Sequence, residues 1–195
     1  MRLLPALAVA ALLAVPAAAA AQPAGGPVAR EALDSLIKED SAWCAGWRQS
    51  DQSCEEIVFF EAIGDKVGLT RRYRMSDTVD FEMVVRQTLA FDGARLCWTF
   101  RFDEMDVAVL NDGIRAPAAQ AAITIALVRE KMSDLEGKLA CESYARDAAS
   151  GEVVSTATLD GQPAPDFDNR FKLLPLDARV KLRPLFETEP DSTTT

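Results

Sequence analysis

The chain has 195 residues, with 21 Lys and Arg against 30 Asp and Glu, a formal net charge of −9 and no histidine. This length suits a single domain with its own hydrophobic core, and the acidic balance argues against nucleic acid or an anionic membrane surface, since both require clustered Lys and Arg. Without histidine, the chain cannot build a Ser-His-Asp or Cys-His nucleophile pair or a histidine-ligated metal site.

The N-terminal segment has the pattern of a secretory signal peptide. A positive charge at Arg2 precedes an apolar run of Leu, Ala and Val over 3–15, and a string of small residues ends at Ala21. We therefore expect residues 1–21 to be removed before Gln22, which makes the protein periplasmic or secreted. A membrane anchor is the alternative, but the run is short and no second one follows, so we expect no transmembrane span in the mature chain.

A flexible leader and a short helix follow. Residues 22–27 include two prolines and two glycines, which predicts the leader. From residue 28 apolar side chains recur at helical spacing, which predicts a helix that ends near Lys38. Asp40 interrupts this stripe, so we expect Trp43 and Trp47 to lie in a turn that bears the first cysteine.

The next residues switch to the period of two that is typical of strands. Two alternating segments, 56–63 and 66–74, flank a Gly-Asp dipeptide at 64–65. Glycine in the first position of a two-residue loop favours a type II′ hairpin. This loop pairs Phe60 with Leu69 on one face.

A second hairpin has the clearest local pattern. Apolar residues alternate over 79–91, Asp92 and Gly93 follow, and alternation resumes over 95–102. An Asp-Gly pair between two such runs predicts a type I′ turn. With that turn the expected cross-strand pairs are Leu89 with Leu96, Val85 with Phe100, and Met83 with Phe102.

The second half of the chain begins with a possible strand over 105–110 and then the longest helical pattern. Pro117 opens the helix, and apolar residues step by three and four as far as Leu135, before Gly137. The stripe would also suit a dimerising coiled coil, but it lasts barely three heptads. We therefore predict a helix that packs on the sheet.

The C-terminal part returns to strands. Segments 139–146 and 152–159 flank a loop and predict a third hairpin. Segments 171–174 and 179–182 are expected to be short edge strands, because prolines follow each of them. The polar residues 187–195 are expected to be a disordered tail.

Together these elements predict one α+β domain over 28–186. The favoured arrangement is a curved antiparallel sheet of about six to eight strands built from hairpins, with the long helix packed on it and a short N-terminal helix. The alternative is a small β-barrel with a flanking helix.

Four cysteines remain after the signal peptide, and an even number in an exported chain indicates two disulfides. We favour a short-range Cys44–Cys54 bridge and a long-range Cys97–Cys141 bridge among the three possible pairings. Cys97 falls on the face opposite the aromatic row, so the second bridge requires that the sheet curl or that another segment cover that face. A zinc site is disfavoured because the chain has no C-x-x-C pair and no histidine.

No nucleophile or nucleotide-binding motif is present, so we predict a non-catalytic protein that needs no cofactor or metal. Two acidic groups, around Asp103 to Asp106 and around Asp166 to Asp168, lack calcium-loop spacing, although a carboxylate-dependent hydrolase built from them is the alternative function. Three arginines around Tyr73 suggest an anion clamp, but a strand whose arginines pair with the acidic excess is favoured.

The function predicted from these observations is a binding or interaction module of the export compartment, with a small apolar ligand or an envelope protein as its partner. A purely structural envelope protein is a further alternative. Aromatic and apolar side chains on the predicted inner face could line a ligand pocket, although such a row is ordinarily core. The candidate pocket residues are Phe60, Leu69, Phe81, Met83, Trp98 and Phe100.

Overall fold

The computed structural model describes residues 29–76 and 81–186. The predicted signal peptide, leader and C-terminal tail lie outside these residues, as do positions 77–80 of the second predicted hairpin. The helices are α1 (Arg30–Lys38) and α2 (Ala118–Lys131), and two short 3-10 segments span Ser133–Leu135 and Pro165–Phe167. The strands are β1 (Ser41–Ala45), β2 (Ser53–Cys54), β3 (Glu56–Ile63), β4 (Lys66–Ser76), β5 (Phe81–Asp92), β6 (Arg95–Thr99), β7 (Asp106–Asn111), β8 (Ile114–Arg115), β9 (Leu139–Arg146), β10 (Val153–Leu159), β11 (Gln162–Pro163), β12 (Asn169–Pro175), β13 (Lys181–Leu182) and β14 (Pro184–Phe186).

Eight of these strands form a closed up-and-down barrel. The ring runs β1, β3, β4, β5, β6, β9, β10, β12 and back to β1, and all its pairings are antiparallel. The alternative prediction of a small barrel with a flanking helix is therefore confirmed, and the favoured open curved sheet is wrong. Closure leaves no strand edge of the ring unpaired. An open sheet would have unpaired edges that need protection.

Two segments that complete the ring differ from their predicted structure. The segment expected to be a turn around Trp43 is strand β1, which pairs with β3 on one side and β12 on the other. Strand β12 contains the residues predicted to form an edge strand, yet it lies between β1 and β10. Ser41 of β1 pairs with Pro175 of β12, so two segments that are far apart in the sequence complete the ring.

The first predicted hairpin is confirmed in its register. Phe60 pairs with Leu69, and the loop begins with Gly64 at φ +62°. A positive φ at the first loop position is what a type II′ turn requires, and glycine adopts it without a steric cost.

The second predicted hairpin forms, but its register is wrong by two residues. Phe91, not Leu89, pairs with Leu96 because Gly93 (φ +61°) takes the first position of the loop instead of the second. A two-residue shift leaves every side chain on its predicted face. Pairing ends after three residue pairs, and the expected partners of Val85 and Met83 are replaced by Val107 and Val109 of β7.

Helix α1 closes one end of the barrel. Its apolar face buries Leu33, Leu36 and Ile37 against the residues that fill the interior. At the centre of this core the Trp43 ring meets Phe60 edge-on, with ring centroids 4.7 Å apart. The other large, fully buried side chains of the cluster include Tyr144, Phe171, Leu69, Leu89 and Leu96.

The favoured disulfide connectivity is confirmed. Cys44 is bonded to Cys54, and Cys97 is bonded to Cys141. Strands β6 and β9 are neighbours in the ring, and the second pair lies directly opposite in their register. Pairing of these two adjacent strands therefore brings the sulfurs together on the outer wall, so the bridge needs neither the predicted curl nor a covering segment.

The C-terminal residues pack against the outside of the barrel near the first disulfide. Strand β13 pairs in parallel with β2, and Leu182 joins a second apolar cluster with Cys44, Cys54 and Ile57. Arg183 donates to the carbonyl oxygen of Gly46 at 2.7 Å and stabilises this contact.

Helix α2 flanks the barrel and packs against β7. It begins after Pro117 and is followed by the 3-10 turn that reaches Leu135, close to the predicted bounds. No residue of α2 is fully buried. Within the described residues, no helix combines the length and apolar character needed to span a membrane.

Candidate functional site

A buried ion-pair network lies in the interior of the barrel. Arg71 of β4 donates to Glu56 of β3 (Nη1–Oε1 2.8 Å) and to Glu142 of β9 (Nη2–Oε1 2.9 Å). The side chains are 13 %, 8 % and 4 % exposed. Each residue occupies an inward position of its strand, so alternation alone directs three charged groups into the core.

Both tyrosines of the chain belong to this network. Tyr144 donates its hydroxyl proton to Glu142, and Tyr73 lies opposite Glu56 in the β3–β4 register. Burial raises the pKa of both phenols well above the ordinary value, and the neighbouring glutamates raise it further. Burial alone would lower the pKa of Arg71, but the carboxylates of Glu56 and Glu142 raise it well above its usual range.

This network favours a structural role over catalysis. Each glutamate accepts a charge-assisted hydrogen bond from Arg71, and Glu142 accepts a second one from Tyr144. The network joins three strands of the barrel across its interior.

The predicted pocket residues do not all lie together. Phe60, Leu69 and Trp98 belong to the core cluster that includes α1. Phe81 and Met83 lie at the start of β5, and Phe100 follows β6 and contacts the rings of Trp98, Phe102 and Phe167. Their role in binding a ligand stays a prediction.

The predicted acidic groups are engaged separately. Asp106 accepts from Arg86 on the barrel wall, and Asp168 accepts from the backbone N–H of Ala157. Asp103 and Asp166 are exposed. Of the arginines around Tyr73, Arg71 points inward to Glu56 and Arg72 points outward to Glu82. These two residues therefore fit the favoured prediction of a strand whose arginines pair with acidic side chains.

The outward face of α2 is the other candidate site. Ile123 and Leu127 lie one turn apart and are 65 % and 56 % exposed, and Ile114 before the helix is 73 % exposed. Three alanines lie on the same exposed face at helical spacing: Ala119, Ala122 and Ala126. No charged residue occurs between Ala118 and Val128. This surface, Ile114 with the exposed apolar residues of 119–127, is called the α2 face below.

The barrel holds α2 by its opposite side and by its C-terminal end. Ala121, Thr124, Ile125 and Val128 are partly buried, at the three- and four-residue spacing of a packed helix face. Arg129 donates to the carbonyl oxygen of Phe102 at 2.8 Å. The helix is therefore apolar on two sides, and the protein covers one of them.

Sequence reasoning missed both features, although each leaves a pattern. Glu56, Arg71 and Glu142 each fall in phase with the inward apolar residues of their strands, so a charge at an inward position was detectable. The predicted apolar stripe of α2 covers only one side of the helix. A second apolar stripe at 119, 122, 123, 126 and 127 repeats the same spacing on the other side.

Comparison with known proteins places the chain in no family: no protein-family model, no curated protein and no solved structure matches it.

Proposed function

We propose that this chain is an exported, non-catalytic interaction module that docks a protein partner through the α2 face. The observation that carries the proposal is the exposure of Ile123 and Leu127 on a helix that is apolar on two sides and carries no charge from Ala118 to Val128. An apolar helix face is ordinarily buried against the rest of the protein or a partner. An uncovered apolar face rimmed by polar residues is typical of a protein interaction site.

The barrel suits the task of holding such a helix in place. Two disulfides and the network around Arg71 brace the wall, and α1 closes one end. A rigid scaffold lowers the entropy that a docking surface loses when its partner binds. The large side chains around Trp43 occupy the interior next to α1, which favours the outer face over that part of the barrel as the binding site.

Export is supported by the disulfides and by the N-terminal sequence pattern. Stable disulfides form in oxidising compartments, and the residues before Gln22 have the three regions of a signal peptide. Mass spectrometry of the N-terminal peptide from protein isolated from its host is expected to identify Gln22, or its cyclised pyroglutamate form, as the first residue. An intact Met1 on the isolated protein would contradict cleavage.

Site-specific photo-crosslinking in the native host tests the docking surface. A photoreactive phenylalanine analogue is placed at position 123 or 127, and at Ile63 or Leu176 as matched controls. The controls are apolar and 48 % and 52 % exposed, but they lie outside α2. We expect a covalent protein adduct from 123 and 127 and none from the controls. Equal adducts at all four positions, or none at 123 and 127, would refute the proposed surface.

A further inference from the structure

We infer that the partner on the α2 face is a second copy of this chain, which docks its own α2 antiparallel about a two-fold axis. This inference rests on the proposed function, because it names the occupant of the same surface. Symmetric homodimers use one patch twice, so the patch must be complementary to itself after rotation.

The α2 face meets that condition in one register. Antiparallel pairing that places Ile123 opposite Ala126 of the second copy also places Ala122 opposite Leu127. Every large exposed side chain of the stripe then faces an alanine, as interdigitating packing requires. The order of small and large residues along 119–127 is therefore complementary to its own reverse.

Charge supports the same arrangement. Two copies of net charge −9 repel each other over most of their surfaces, but residues 118–128 carry no charge. The register also places Glu130 opposite Ala119, in the first turn of the other helix. That turn has no acidic residue and no side-chain cap, and the exposed Arg115 lies just before it. A carboxylate there complements both the helix dipole and the guanidinium.

The size of the patch predicts a reversible dimer. Helix α2 has 14 residues, and a helix of that length extends about 21 Å. One pair of such helices buries less than the ~1,200 Å² that stable complexes usually bury. We therefore expect the dimer to form over roughly 10 µM to 1 mM and to dissociate on dilution.

Sedimentation equilibrium of the purified chain over that concentration range tests the inference. The weight-average mass is expected to rise towards twice the monomer mass. Ile123→Ala leaves a gap against Ala126 of the second copy. Ala126→Ile places an isoleucine against Ile123 of the second copy, where there is no room for both. Each single change is therefore expected to weaken association at least tenfold. The double variant I123A/A126I restores a large residue opposite a small one and is expected to associate within about threefold of the original.

The matched control is Ile63→Ala, an exposed isoleucine outside α2, which is expected to leave association unchanged. Because Ile123 and Ala126 are exposed, neither single change threatens folding, and circular dichroism checks this for each variant. A second change, Glu130→Lys, is expected to weaken association, whereas Glu61→Lys is not.

The outcomes separate the inference from the proposed function. A chain that stays monomeric while the crosslinker at 123 captures a different protein overturns the second copy and leaves the docking surface in place. A dimer that both single variants leave intact also overturns this register. A monomer that gives no protein adduct and instead co-sediments with phosphatidylcholine vesicles overturns both.

Discussion

Arg71 and Glu142 are 71 residues apart in the sequence and meet inside the barrel, with Nη2 and Oε1 at 2.9 Å. The contact joins β4 to β9, two strands that are not neighbours in the ring. It therefore crosses the barrel interior, and Glu56 completes it from β3. A buried pair of this kind costs desolvation when it forms, but far more when one partner is removed.

Replacement of Arg71 by methionine is expected to lower the free energy of unfolding by about 3–5 kcal/mol, because Glu56 and Glu142 lose their counter-charge in the core. Arg72→Met is the matched control. Arg72 pairs with Glu82 on the outer wall and is 37 % exposed, so its loss should cost about 0–1 kcal/mol. Urea unfolding measures both, and equal costs would contradict the structural role of the network.

Alkaline titration tests the environment of the two tyrosines. A tyrosine in an unfolded chain ionises near pH 10, and the pKa of Tyr73 and of Tyr144 is raised in the folded protein. The folded state therefore keeps the phenol protons to a higher pH than the unfolded state does. Below pH 10 both states are protonated, so the titration of these two groups does not change the free energy of unfolding. The free energy of unfolding falls as pH rises above 10, by up to ~1.4 kcal/mol per pH unit for each tyrosine.

The chain has only these two tyrosines, so the rise in absorbance at 295 nm that accompanies phenol ionisation comes from them. The native signal should stay flat past pH 10 and rise together with the loss of far-ultraviolet circular dichroism. The same titration in guanidinium chloride is the control and should have its midpoint near 10. A midpoint near 10 in the folded protein would show that the phenols are exposed.

Local patterns predicted local structure well in this chain. The Gly64 turn set the β3–β4 register because one residue, free to adopt a positive φ, decides where a two-residue loop begins. The Asp92 and Gly93 pair predicted a hairpin but not which position the glycine takes, and the register moved by two. Both hairpins have their apolar side chains on the predicted face, because successive residues of a strand alternate between the two faces and a register shift of two residues does not change the face.

Barrel closure and the Arg71 network depend on contacts between distant segments, which local patterns do not specify. Strand β1 has five residues, so it offers too few alternations to be distinguished from a turn. Its pairing with β12 spans most of the domain. The exposure of Ile123 likewise depends on which side of α2 meets β7, and both sides of that helix are apolar.

The two disulfides are expected to contribute unequally to stability. In the chain-entropy model, the separation of 44 residues between Cys97 and Cys141 gives about 4 kcal/mol, and the separation of 10 between Cys44 and Cys54 gives about 3 kcal/mol. Guanidinium unfolding of the C97A/C141A and C44A/C54A variants measures the difference. A larger loss from C44A/C54A would show that its packing against the C-terminal residues outweighs chain entropy.

The same leucine-to-alanine change should have different effects on the free energy of unfolding in the core and on the docking surface. Leu33→Ala in α1 removes a side chain that is 0 % exposed and should cost about 2–5 kcal/mol. Leu127→Ala in α2 removes one that is 56 % exposed and should change monomer stability by less than about 0.5 kcal/mol. Thermal unfolding at a concentration that keeps the chain monomeric measures both, and a comparable loss from Leu127→Ala would mean that the barrel covers this residue.

The most direct test of the α2 face as a docking surface is hydroxyl-radical footprinting of Ile123 and Leu127 in intact cells and in dilute purified protein. We predict strong labelling of both residues in the dilute protein and protection in cells, while Ile63 and Leu176 label equally in the two samples. Equal labelling of Ile123 and Leu127 in cells and in dilution would show that nothing covers this face, and would contradict the account.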